Sequence, residues 1–164
     1  MPKSPLKIAV VGAGLIGRKH AQVVADHAHL HALIDPNPEA KEIAAQFGAL
    51  WFDTLDAYLT QHQPDGVIVA TPNQLHSAHA MACLNKRVPT LVEKPLADTQ
   101  TAGRDIIAAS KQNDTPVLVG HHRRHSPVIK AAKQAIEDCA LGQIVTVQAQ
   151  FWLFKPDDYF DVDW

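Results

Sequence analysis

Cysteine is scarce: Cys83 and Cys139 are the only two in 164 residues, far apart and each set among helical apolar positions. That excludes a disulfide framework and a C-x-x-C site, and both are expected to be buried thiols in a reducing compartment. Long apolar runs are missing too. None approaches the length of a membrane span, and the opening M-P-K-S-P-L-K enters the first strand without the apolar segment of a secretory leader. The expected location is the cytoplasm, with no membrane partner. Basic charge is not in excess either: 15 Lys and Arg against 17 Asp and Glu give a formal charge of −2. Such a balance offers no broad attraction for nucleic acid or an anionic bilayer. No internal repeat or low-complexity tract is found. What the chain does have is 46% hydrophobic residues, enough to bury a proper core in one domain of ordinary size plus a little more.

Short β-branched runs alternate with longer helical stretches. The expected strands are Lys7 to Val11, His31 to Ile34, Ala49 to Phe52, Val67 to Ala70, Thr90 to Val92 and Val117 to Val119. None shows the polar alternation of a half-exposed sheet, which suits parallel strands covered on both faces. The intervening helices are read as Leu15 to His27, Pro38 to Phe47, Thr54 to Gln61, Gln74 to Asn85 and Thr99 to Asn113. Asp53 and Asp98 are placed to cap the third and fifth, and Gly48 to stop the second. Six strands with crossover helices make a doubly wound α/β fold.

Residues 12 to 17 read G-A-G-L-I-G, directly after the apolar run Ile8 to Val11 and at the opening of a helix. In that context each glycine serves a mechanical purpose, Gly12 allowing a sharp turn, Gly14 the close approach of a pyrophosphate and Gly17 tight helix packing. The loop Gly12, Ala13, Gly14, Leu15 and Ile16 would then present free N–H groups at a positive helix end. Asp35 follows Gly14 by twenty-one positions, at the end of the next apolar stretch. A carboxylate there accepts from both ribose hydroxyls and repels a 2′-phosphate, so NAD is expected and NADP is the lesser choice. A plainer reading, in which the glycines only make a tight turn and Asp35 only caps a helix, stays open at this point.

Two further clusters stand at strand carboxyl ends. Thr71-Pro72-Asn73 and His76 follow the fourth strand, where Thr71 and Asn73 can hydrogen-bond a ribose or carboxamide. They equally make a sound turn with Asn73 as helix N-cap and His76 satisfying a backbone group. Glu93-Lys94-Pro95 ends the fifth strand, where a lysine can place its ammonium beside a reacting hydroxyl or carbonyl. By position alone, a solvated surface ion pair is the commoner explanation.

After Gly120 the character changes. A helix from Pro127 to Cys139 is followed at Gln143 to Phe154 by period-two alternation, with Val145, Val147, Ala149 and Phe151 on one side. This looks like the first strand of a different, antiparallel sheet. It needs neighbours. The expectation is a Rossmann-type domain over residues 1–120 and, over 121–164, the start of a truncated second α+β domain. A complete small protein pairing this strand between subunits is the alternative.

Taken together, G-A-G-L-I-G, T-P-N-Q-L-H, V-E-K-P-L-A and V-G-H-H-R-R-H-S-P, in order and spanning nearly the whole chain, resemble the glucose-fructose oxidoreductase/inositol dehydrogenase/MocA group of nicotinamide-dependent oxidoreductases. The resemblance implies that Lys94 binds the reacting substrate oxygen and assists proton transfer, with a cis Lys94-Pro95 bond, and that Glu93 lies near the nicotinamide. It also implies that Thr71, Pro72, Asn73 and His76 border the dinucleotide, that Arg124 reaches into the substrate cleft, and that the full-length form is a homo-oligomer. His121 and His125 stand where the family commonly has aromatic residues. The family's Asp-x-x-x-His general acid–base pair is missing as well, since no such spacing follows the fourth motif and the last histidine is His125. The chain therefore resembles the cofactor-binding half of such an enzyme.

Ten histidines raise a metal site, above all His27, His29, His31 and His121, His122, His125. Adjacent His121 and His122 point to different sides and no cysteine joins either cluster, so no metal is expected. Arg123 and Arg124 suit a small anion or a solvated face better than nucleic acid. Two function classes follow: an NAD-dependent dehydrogenase of a sugar, polyol or related hydroxy compound, with a small-molecule substrate, and a non-catalytic dinucleotide-binding module or sensor. The isolated chain is expected to lack turnover.

Overall fold

The alternating runs form one parallel sheet in a computed structural model that describes residues 4–157 and 161. The strands are β1 (Lys7–Val11), β2 (His29–Ile34), β3 (Leu50–Phe52), β4 (Gly66–Val69), β5 (Thr90–Val92) and β6 (Val117–Val119). Their spatial order is β3-β2-β1-β4-β5-β6, every neighbouring pair parallel. Order reverses between β1 and β4. That is the doubly wound Rossmann-type arrangement the sequence pattern implied.

Successive strand residues supply two separate cores. Ala9, Val11, Ala32, Ile34, Val67, Val69 and Val92 point to one face, where they meet Tyr58, Leu84 and Ile106. Those three belong to α3 (Leu55–Gln61), α4 (Asn73–Asn85) and α5 (Gln100–Gln112). Val10 and Leu33 point the other way, onto Ala21, Val24, Ala40 and Ala44. These come from α1 (Leu15–His27) and α2 (Ala40–Gln46). Burial on both faces explains why no strand shows polar alternation.

The helix starts differ slightly from the expected ones. Thr54 and Thr99, not Asp53 and Asp98, are the N-caps of α3 and α5, their hydroxyls accepting from Ala57 N and Ala102 N at 3.2 Å. A cap oxygen must reach an N–H two or three residues onward, and only the threonines stand at that offset. Asn73 is the first residue of α4 rather than its cap.

The chain divides into two units, Met1–Gly120 and His121–Trp164. In the second, a 3₁₀ turn at His122–His125 precedes α6 (Pro127–Glu137). The strand expected at Gln143 to Phe154 is not formed, and residues 144–156 are neither helix nor strand. Val145, Val147, Trp152 and Phe154 are all exposed. Strand structure requires a hydrogen-bonded neighbour, and among the described residues none pairs with this segment. Tyr159, Phe160, Val162 and Trp164 of the aromatic, acidic end lie outside the described residues. The cysteine expectation holds for one thiol only. Cys83 is fully buried, which pushes its thiol up to about 12, whereas Cys139 is exposed.

One polar cluster interrupts the first unit. His31 Nδ1 lies 2.8 Å from the Tyr58 hydroxyl, and the rings of His29 and His62 stand 5.6 and 5.1 Å from that of His31. Burial first, then His62, His29 and Lys7, lower the His31 pKa below 6.5. The folded state therefore binds fewer protons here than the unfolded chain. This contribution to stability is complete above about pH 6.5 and is lost as pH falls through the lowered folded value. Thermal unfolding at about pH 7.5 and 5.5 is expected to show a smaller acid-induced loss for His31→Gln than for the wild type. Equal losses would remove His31 as a source of acid sensitivity.

Candidate cofactor and active site

The carboxyl ends of β1, β2, β4 and β5 converge on one edge of the sheet. After β1 the chain turns at Gly12, whose φ of +97° suits glycine; a Cβ there would sit 2.6 Å from the Ala70 carbonyl oxygen. Gly17 is packed still more closely: its Cβ would fall 1.8 Å from the Gly12 carbonyl oxygen, so α1 presses on the loop itself and not only on the strand. Gly14 differs. A Cβ there would meet nothing within 4 Å, leaving open space in front of the exposed Gly14, Leu15 and Ile16. Their N–H groups stand at the first turn of α1, where no intrahelical acceptor is available. Arg18 folds back and donates from Nε to the Ala13 carbonyl at 2.8 Å, bracing the loop.

Asp35 follows β2 and ties that strand end to the loop. Its Oδ2 accepts from Ala13 N at 2.6 Å and its Oδ1 from Asn37 N at 2.8 Å. Each oxygen keeps further lone-pair capacity. Asp35 lines a cavity of about 740 Å³ together with Gly12, Gly14, Thr71 and Pro72. The size suits a small-molecule ligand. Asp53, Thr54, Leu75 and His79 also line it and were not anticipated. Asp53 and Thr54 directly follow β3, so the strand-end rule that singled out Asp35 could have found them. His79, one turn beyond His76, carries no such signal. Its Nδ1 is 3.3 Å from the Thr71 hydroxyl, and burial, then His76, lower its pKa despite the opposing effect of Asp56.

His76 is only 1% exposed. Its Nδ1 lies 2.7 Å from the Pro95 carbonyl oxygen and its Nε2 2.9 Å from that of Thr71. Both ring nitrogens face backbone, so His76 is a strut beneath the loops after β4 and β5, and Thr71, Pro72 and Asn73 form the accessible part of the motif.

Glu93, Lys94 and Pro95 leave β5 through a cis Lys94-Pro95 bond. Glu93 does not pair with the neighbouring ammonium. Its Oε1 is 2.9 Å from His20 Nε2 on α1, and its Oε2 accepts from the Lys94 backbone N–H at 3.2 Å. Among the described residues the exposed Lys94 ammonium meets no carboxylate. No such surface ion pair forms among the described residues. Arg124 lies in the second unit, exposed on the 3₁₀ turn, while Arg123 covers the Phe151 ring at 4.1 Å. Among the described residues no three His, Cys, Asp or Glu side chains gather as metal ligands.

A turn closed by two glycines, open space before a third, and a carboxylate at the end of β2 fit a dinucleotide. The family model for the oxidoreductase family with NAD-binding Rossmann fold (Gfo/Idh/MocA) matches residues 6–121. The chain belongs to this family. It is 35% identical over 126 residues to a 4-carboxy-2-hydroxymuconate-6-semialdehyde dehydrogenase of Sphingobium sp., covering 74% of this chain and 40% of that protein. It is 29% identical to an inositol 2-dehydrogenase of Corynebacterium glutamicum, over 90% of this chain and 45% of that one. Among solved structures, scyllo-inositol dehydrogenase of Lactobacillus casei with bound NAD(H) and scyllo-inositol superposes with a TM-score of 0.80 at 25% identity, over 85% of this chain and 43% of that one. The chain thus spans less than half the length of these relatives.

The glycine geometry separates binding from folding. Gly14→Ala is expected to melt within about two degrees of the wild type yet bind NAD about tenfold more weakly, its methyl standing in the open groove. Gly17→Ala is expected to lose the fold or melt far lower, having nowhere to put its Cβ. Melting curves with calorimetric NAD titration distinguish the two; a Gly14→Ala variant with wild-type affinity would contradict the assignment.

Proposed function

We propose that this chain is the cofactor-binding part of an NAD-dependent dehydrogenase acting on a sugar, polyol or related hydroxy compound, with residues 121–164 beginning its substrate and dimerisation domain. The observation that carries the reading is that the open space before Gly14, the Asp35 carboxylate and Lys94, whose ammonium meets no carboxylate among the described residues, all follow strand carboxyl ends on one sheet edge. The inositol dehydrogenases among its relatives support the substrate class.

In this reading Gly14, Leu15 and Ile16 hold the pyrophosphate through backbone N–H groups, and Asp35 accepts from the adenosine ribose. Thr71 and Pro72 line the same groove, and Asn73, next in the chain, borders the dinucleotide. Bound NAD supplies the hydride acceptor. Lys94 donates a hydrogen bond to the reacting substrate oxygen, which orients it and eases loss of its proton. Its ammonium is available for this because Glu93 is turned toward His20. Arg124 contributes to substrate binding, and the full-length protein assembles as a homo-oligomer. The remaining acid–base group is contributed by sequence beyond these motifs.

Titration calorimetry with both cofactors tests the first half of the reading. NAD is expected to bind more tightly than NADP, whose 2′-phosphate would meet the Asp35 carboxylate, and Asp35→Ala to narrow the difference. Equal affinities in the wild type would remove the role given to Asp35.

Lys94 is tested in an intact protein of the relatives' length. Lys94→Ala should keep NAD affinity within about threefold and lose roughly 10²–10⁴ in turnover, the usual worth of acid–base assistance. Full turnover in this variant would refute the assignment.

A further inference from the structure

We propose that Glu93, held by His20, strengthens binding of the oxidised cofactor relative to the reduced one. The inference rests on the dinucleotide reading above and adds a property of the site that the reading does not contain.

The strand order sets the direction of the ligand. A dinucleotide in a doubly wound sheet crosses the point where strand order reverses, one nucleotide on each half. Here the reversal lies between β1 and β4. With the adenosine ribose at Asp35, beyond β2, the nicotinamide end is carried to the β4–β5 half. Glu93 is the first residue after β5. Its backbone N–H is bonded to the Val69 carbonyl at 2.9 Å, which fixes it beside the end of β4.

The carboxylate is held rather than free. His20 reaches it from α1, the Lys94 N–H from its own loop, and the side chain is 16% exposed. Gly120, just past β6, leaves the space it occupies: a Cβ there would lie 2.9 Å from Oε1. A fixed anion with little solvent around it acts on a nearby charge more strongly than a surface carboxylate does. The oxidised nicotinamide ring is cationic and the reduced ring is neutral. The remaining phosphate and ribose contacts are common to both forms. Glu93 therefore stabilises the oxidised form selectively, and it favours exchange of the reduced cofactor for a fresh oxidised one.

The ratio of the two dissociation constants, Kd(NAD⁺)/Kd(NADH), reads this on the chain itself without turnover. Damage to the fold moves both constants together and cancels in the ratio. Glu93→Gln keeps the shape and a hydrogen bond toward His20 while removing the charge; Glu93→Met is the second variant, in case glutamine is not accommodated. Calorimetry with each cofactor is expected to show the ratio rising about three- to tenfold in either variant, the scale of one partly screened charge at close range. In Asp35→Ala, both constants should rise by a similar factor with the ratio unchanged. A ratio within about twofold of wild type in the Glu93 variants, or an equal shift in Asp35→Ala, overturns the proposal while leaving the dinucleotide site intact. A wild-type chain that binds neither cofactor overturns the dinucleotide reading, and this proposal with it.

Discussion

The contact on which the rest of this structure depends is backbone against backbone, at the turn from β1 into α1. Gly17 lies where a Cβ would fall 1.8 Å from the Gly12 carbonyl oxygen, and a Cβ on Gly12 would fall 2.6 Å from that of Ala70. With no side chains between them, the loop, the first turn of α1 and the end of β4 come together at one point. Helix N–H groups are thereby delivered to the edge where the sheet order reverses, the place an open α/β sheet offers to a ligand. A methyl group at either position would separate these elements and remove the groove.

A second set of contacts fixes the loop that carries the lysine. His20 holds Glu93 from α1, and His76 spans the carbonyl oxygens of Thr71 and Pro95 from below. The tripeptide after β5 is thus pinned at both ends, with Lys94 exposed between them. Neither histidine needs to touch a ligand to matter. Polar contacts removed largely from solvent define loop geometry more sharply than apolar packing, because an unsatisfied carbonyl or carboxylate there is costly. Such pinning would let a flexible lysine side chain work from a fixed base.

The two units differ in how completely they satisfy themselves. In the first, both faces of the sheet are covered and every strand has a partner. In the second, α6 and the segment after it expose Val128, Val145, Val147, Trp152 and Phe154. Apolar residues in that density normally lie against something. This agrees with the proposal that the second unit opens a larger domain, as does a chain covering 40% and 45% of two of its relatives.

The fold was legible because its signals are local and repeated. Period, β-branching and turn residues place six strands and their helices to within a few residues, and alternation without polar positions implies burial on both faces. The mechanical roles of Gly12 and Gly17 could be read for the same reason, since they come from spacing around one turn. What only tertiary structure decided depends on which distant groups meet. Glu93 looks like the partner of Lys94 in sequence, yet it turns to His20, seventy-three positions away. His76 reads from sequence as either ligand-facing or bonded to backbone, and only the fold shows it buried between two carbonyls. The period-two segment near residue 145 has the pattern of a strand, but pattern supplies only one side of a ladder. Without a neighbour to accept its hydrogen bonds, among the described residues, it forms none.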